Sequence, residues 1–400
     1  MTETEWIVEN RPSTGHPVFW LTFEPEVIII REEKGLSGEN PSREVQDLAR
    51  QVTANCHASD ADHAGSFSLC GLLLRLRDYY KWENGLEPWS EVPAPAVLAW
   101  VEEREKLWEE IQGSRTNPLL WRGRKVDPFD SETLNADLGE LGYYYGAGLA
   151  AFMKPSFFLG KILEARVLGH FSVVYLGGEL ARDLFTVPAQ TRGRDIIARR
   201  RPLAAYLWDT IMYSGSSRKR AADLALRVYG LERPDLAKPP SEWAPRFEKL
   251  LDGEIEAFVR HEYGEATDTV FPREDWQVLV GANPHSRLEL MARQIKDLLA
   301  DTSDEGRLGF IIRERRLASL AIYVSLLDGL AALLFPEMVP AFDRFLEDQD
   351  WEGIEGARLA ARERVRNMAE QFRAMAVQGR DRPQWLAARV EEDFYRPLGL

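Results

Sequence analysis

Residues 260–265 read RHEYGE, which puts a histidine and two glutamates within five positions near the end of an amphipathic stretch. On a helix turning about 100° per residue, Leu251, Ile255, Phe258, Val259 and Ala266 share one apolar arc, and Glu262 falls inside it. A carboxylate on such a face must be protonated, paired or bound to a metal, because an isolated buried charge is strongly disfavoured. His261 and Glu265 lie one turn apart along the edge of the same face, beside Glu254, and could ligate one ion if the helix continues past Gly264. Gly264 is equally a residue that ends helices, and a histidine in a last turn interacts well with the helix dipole. The HExxE pattern lacks the second histidine of the HExxH zinc signature, so spacing alone does not fix the chemistry.

A second carboxylate, Asp328, projects with Leu317, Leu320, Val324 and Ala331 from the apolar segment 317–335. Glu262 and Asp328 on two core helices could share a proton as acid and base, or hold a divalent metal in a bundle. The competing expectation pairs each of them with an arginine, such as Arg260, Arg313 or Arg316. A third set lies in NCHASDADH, where Cys56, His57, Asp60, Asp62 and His63 crowd into eight residues. Imidazole and carboxylate together suit a transition metal, and loops often supply such ligands. The same polar residues would also serve as caps and turn formers. The expected catalytic pair is therefore Glu262 and Asp328. The expected metal ligands are His261, Glu262, Glu265, His57, Asp60 and His63, with a divalent transition metal as the cofactor.

Residues 191–220 hold Arg192, Arg194, Arg199, Arg200, Arg201, Arg218, Lys219 and Arg220 against only Asp195 and Asp209, in a chain of net charge −14. Arginine forks suit phosphate and carboxylate, so Arg192, Arg194, Arg199, Arg200 and Arg201 are the candidate anion-binding residues. They would hold a small anionic ligand or an acidic protein partner. That is the alternative to the metal reading, in which the protein binds or assembles rather than catalyses. The overall negative charge opposes bulk nucleic-acid binding. GYYYGAG at 142–148 lacks the GK[ST] ending of a phosphate loop and reads as glycines that let helices approach closely.

The elements that must position these residues read as mainly α. Apolar stripes at helical period predict a multi-helix globular bundle, with helices that include 194–213, 243–263, 286–300 and 311–335. The expected β component is minor: short strands within 1–40 and a hairpin near 157–176 around Gly169-His170. The expected organisation is a strand-containing segment 1–40, a first helical part 41–230 and a second part 243–400, packed as one unit across a soft boundary at 231–242. With 45% hydrophobic residues the chain can bury a large core. Two cysteines, Cys56 and Cys70, give no disulfide framework, and the N-terminus shows no secretory signal, so a cytoplasmic location is expected. Asp328 inside 317–335 argues against membrane insertion.

The segment SDADHAGSFSLCGLLLRLRDYYKWENGLEPW, with PSFF and GGELARDL further on, resembles a family of uncharacterised bacterial proteins of similar length. The resemblance implies a cytoplasmic bacterial protein. It carries no activity and assigns no site residue.

Overall fold

A computed structural model describes residues 41–150, 153–213, 215–271, 276, 279–280, 286–379 and 381–400. The strands expected within 1–40 lie outside the described residues. Helix α1 (Arg43–His63) starts where Ser42 Oγ accepts the Val45 amide, and Val45, Leu48, Val52 and Cys56 form its buried stripe. Helices α2 (Leu69–Glu83) and α3 (Ala94–Ile111) follow. A ribbon of β1 (Leu119–Trp121) and β2 (Arg124–Val126) turns tightly at Arg122 and Gly123, both at positive φ. Helix α4 (Ser131–Leu138) is capped by Asp130.

The β component is not minor. Strands β3 (Tyr143–Leu149), β4 (Pro155–Leu168), β5 (Phe171–Arg182), β6 (Ala189–Arg192) and β7 (Asp195–Arg199) form one mixed sheet in the order β3-β4-β5-β7-β6. Only the β5–β7 pairing is parallel. Register slips between Leu159 and Glu164 bend the β4–β5 pair, and the sheet curls into a half-barrel. The residues expected as an isolated hairpin near 157–176 are the middle of this sheet. GYYYGAG is strand β3, because its register places Gly146 opposite Phe158, whose ring covers the missing side chain. Of the residues expected to begin a helix at 194, 195–199 are instead β7, which is held between β5 and β6. Five residues have too little pattern to reveal that pairing from sequence.

Helix α5 (Arg200–Tyr213) leaves directly from β7 and opens the helical half. It continues with α6 (Ser216–Val228), α7 (Pro240–Thr267), α8 (Arg287–Thr302), α9 (Arg307–Arg313), α10 (Leu317–Leu326), α11 (Gly329–Leu334), α12 (Met338–Asp348), α13 (Trp351–Gly379) and α14 (Pro383–Val390). Leu207, Trp243, Phe247, Ile295, Leu320 and Phe372 are members of one large core, which also contains Leu231. Val259 of α7 packs on Phe171, Val173, Ile196 and Ala198 of the sheet, so α7 joins the two halves. Among the described residues no helix is long and apolar enough to cross a membrane.

NCHASDADH is not a loop, since α1 runs through His63. Its polar residues are tolerated in the helix because the fold gives them partners. Asp60 is fully buried 3.0 Å from Lys154 Nζ, and Lys154 lies 3.5 Å from the equally buried Asp183. Asp183 also accepts the Phe157 amide of β4 at 2.9 Å, and Asp60 accepts the Leu184 amide at 3.2 Å, so the cluster ties α1 to the sheet. Burial pushes the Asp60 carboxyl up to about 7 against the pull of Lys154. Replacing Lys154 by Met leaves two buried carboxylates without their cation. Urea unfolding at pH 8 should show a loss of about 3–5 kcal/mol. The loss should be smaller at pH 5.5, where Asp60 carries a proton, and equal stability at pH 8 would show that Lys154 is not what holds them.

Candidate functional site

Helix α7 does not stop at Gly264. A Cβ at that position would sit 2.5 Å from the Ala300 carbonyl oxygen and 3.0 Å from Gly306 Cα, so glycine is there for close approach to the C-terminal end of α8. Because the helix continues to Thr267, His261, Glu262 and Glu265 all hang from ordered backbone beside α8. They line a cavity of about 560 Å³. Its walls come from α7, α8, the segment before β6, Tyr206 of α5, Arg75 of α2, Arg307 of α9 and the α10–α11 junction. An adjoining compartment of about 430 Å³ shares Glu262, Glu265 and Lys296 and adds Arg192 and Leu149 from the sheet.

His261 is fixed from behind. Its Nδ1 lies 2.8 Å from Asp301 Oδ1, which makes Nδ1–H the donor and leaves Nε2 to face Glu265 Oε2 at 4.0 Å. About a fifth of the His261 side chain (22%) remains exposed, enough for access from the cavity. His261, Glu265 and Asp297 each offer a ligand atom, and these atoms lie within 4.8 Å of one another. Glu265 keeps its other oxygen on Lys296 at 2.5 Å. Glu262 accepts a hydrogen bond from Thr191 Oγ1 at 2.9 Å, reaching from α7 to β6.

The electrostatics follow from four carboxylates around one imidazole. Burial lowers the His261 pKa, but the charge and hydrogen bond of Asp301, with Asp297 and Glu262 behind it, push it up to about 10. Burial raises Asp297 to about 7; His261 opposes the rise and Glu265, Asp301 and Glu262 add to it. Glu262 is raised by burial and by Glu265. Burial also acts to raise Glu265, but Lys296 and His261 outweigh it and hold Glu265 low.

The other expected residues lie elsewhere. Asp328 is not on a buried face: the segment 317–335 breaks at Leu327, and Asp328 becomes the exposed residue before α11, 2.8 Å from Arg218. It lines the mouth of the same cavity as Glu262 but is committed to an arginine. His57, Asp60 and His63 do not meet around one point. His57 Nε2 is 2.8 Å from Arg104, Asp60 is held by Lys154, and His63 Nδ1 bonds its own helix at Ser59 O. Burial and Arg104 lower the His57 pKa to about 4.

Most of the basic island is paired with carboxylates. Arg199 sits on Glu179 at 2.6 Å, Arg200 on Glu248 and Asp252, and Arg201 on Glu87. Arg194 is exposed in the β6–β7 turn, and Arg192 turns toward the smaller compartment. Asp297, Asp301 and Lys296 were not expected from the sequence. The available signal was Asp297 and Asp301 one turn apart on α8, the same spacing as His261 and Glu265 on α7.

Two family models cover most of the chain. Residues 47–199 match the family of unknown function DUF6866, N-terminal domain, and residues 204–393 match its C-terminal domain. The chain belongs to the DUF6866 family. The two family domains meet where β7 passes into α5, and the cavity takes residues from both: Arg75 and Thr186 from the first, His261 and Asp297 from the second. No curated protein and no solved structure matches the chain.

Asp297 gives a pH test of this arrangement. A carboxyl whose folded pKa exceeds its unfolded value costs stability as pH rises above about 4, in full beyond about 7. In chelator-treated protein, Asp297→Asn should therefore raise stability at pH 8 by about 1–2 kcal/mol, discounted for cavity water, and by about a quarter of that at pH 4.5. Urea titrations at the two pH values check this, and a gain independent of pH would remove Asp297 from the charged cluster.

Proposed function

We propose that the cavity between the two family domains is a metal-dependent active site, in which His261, Glu265 and Asp297 hold a divalent ion and Glu262 is the general acid–base. The observation that carries it is the fixing of His261. Its Nδ1–H is bound to Asp301, so Nε2 is presented toward Glu265 and Asp297. A carboxylate behind a histidine is the arrangement that orients metal-ligating imidazoles and raises their basicity. The mixed nitrogen and oxygen donors suit zinc, manganese or iron, and side-chain shifts of about 1 Å would bring the three ligands to bonding range of one ion.

The charge balance supports the same reading. With Asp301, Asp297, Glu265 and Glu262 around it, the site favours a cation, and in the ion's absence the His261 proton and Lys296 supply one. A bound divalent ion would lower the pKa of a coordinated water. Glu262 has the properties needed to exchange a proton there: a raised pKa, a fixed orientation through Thr191 and access to both compartments. Hydrolysis is the reaction class that these parts supply.

The test is titration of the full chain, freed of metal by chelator, with Mn²⁺ or Zn²⁺ in isothermal calorimetry, backed by elemental analysis. One site per chain is expected, and binding at pH 8 should release about one proton, because His261 must give up a proton held to about 10. Glu265→Gln and His261→Ala should abolish the site, and Asp301→Asn should weaken it by roughly 10–100-fold. Unchanged affinity in His261→Ala would overturn the assignment.

A further inference from the structure

The described residues contain four arginines that are almost wholly buried: Arg182, Arg199, Arg307 and Arg358. Arg182 has Asp78 at 2.9 Å, Arg199 has Glu179 at 2.6 Å, and Arg358 has Glu355 at 2.6 Å. Arg307, 6% exposed, has no carboxylate within ion-pair distance among the described residues, and its Nε and Nη2 have no hydrogen-bond partner. It lies against the ring of Phe258, 4.2 Å from the centroid, and lines the larger cavity. The hydroxyl of Tyr323, also in that wall, lies beside Asp301.

Two more arginines, Arg75 in this cavity and Arg192 in the adjoining compartment, have no carboxylate within ion-pair distance among the described residues, although Asp183 and Asp78 act on Arg75 and Glu262 on Arg192 from further away. Among the described residues Arg75 donates to the Leu184 carbonyl, at 3.0 Å. Arg192 lies over Gly148, donates to the Thr191 carbonyl and to Gln190 Oε1, and leaves Nε unused in the smaller compartment. A buried guanidinium without a counter-ion is costly, and in a chain of net charge −14 a carboxylate is easily found. These three come from α2, β6 and α9, and they border compartments that meet at Glu262 and Glu265.

From this we infer that the cavity takes a polyanionic small molecule carrying phosphoryl groups, with Arg307 as one anion subsite and Arg192 as another. A single carboxylate offers two oxygens in one plane and satisfies one fork. Phosphoryl groups present tetrahedral oxygens and more than one charge, which can serve forks arriving from separate elements and a divalent ion at once. Bound beside Glu262, such a group would be the substrate of the hydrolytic chemistry proposed above. The substrate role rests on that reading, whereas anion binding by the arginines does not.

The experiment is calorimetric titration of the full chain with pyrophosphate, with and without Mn²⁺, and with citrate as a carboxylate polyanion of similar charge. Pyrophosphate should bind the wild type and weaken by roughly tenfold or more in Arg307→Gln and in Arg192→Gln, the loss of charged hydrogen bonds. Mn²⁺ affinity measured alone should stay the same in both variants. If Arg307→Gln does not fold, Arg307→Lys keeps the charge, loses the fork and should still weaken pyrophosphate. Pyrophosphate binding that is absent from the wild type, or unchanged in these variants, would overturn the inference, and so would citrate binding as tightly. Pyrophosphate binding that needs the arginines in a protein that takes no Mn²⁺ would uphold this inference while the metal assignment fails.

Discussion

A charge taken out of water has to meet its opposite, and much of this fold is arranged around that requirement. Lys154 between Asp60 and Asp183 holds α1 against the sheet. Arg199 on Glu179 and Arg182 on Asp78 tie β5 to β7 and to α2. Arg166 on Glu256 joins β4 to α7. Such pairs add little net stability over apolar contacts, but breaking one leaves an uncompensated charge, so they fix which elements lie together. The cavity is the place where the rule is least well met. On one side carboxylates outnumber their cations, and on the other Arg307 has no carboxylate within ion-pair distance among the described residues.

That imbalance depends on a close packing. Gly264 lets α7 meet the end of α8, and only at that separation do His261 and Glu265 face Asp297 and Asp301. The sheet contributes through Val259 and the residues beneath it, which set α7 against β6 and bring Thr191 to Glu262. A helix, a second helix and a strand thus converge on one imidazole. A proton on His261, favoured by Asp301 and the carboxylates behind it, offsets part of their charge. Because that proton is held to about 10, any metal has to displace it.

Under the proposed function, segregating the two signs of charge within one cavity would have a chemical use. Carboxylates gathered around His261 attract a cation, while Arg75, Arg192 and Arg307 attract an anion. Placed in neighbouring walls, they would be positioned to hold both partners of the proposed reaction. Lys296 marks the border, since it binds Glu265 while its ammonium lies over the ring of Trp276.

The sequence by itself determined the local elements and the suspicion attached to α7. The apolar arc that captured Glu262 and the helical stripes of the second half follow from residue period, which is a local property. The sheet was only partly legible, because strands as short as β6 and β7 take their conformation from neighbours distant in the chain. Glycine-rich β3 similarly depends on the Phe158 ring across the pairing. Asp328 could be placed on a wheel, but only the break at Leu327 decided that it faces solvent and Arg218. Likewise, the spacing of His57, Asp60 and His63 said nothing of Arg104 and Lys154, which claim two of them from other elements. The partners of His261 were decided by tertiary structure, since Asp297 and Asp301 lie more than thirty residues further on. Charge–charge energies fall with distance in space rather than along the chain, so which charges are satisfied and which are left waiting is settled only when the helices pack.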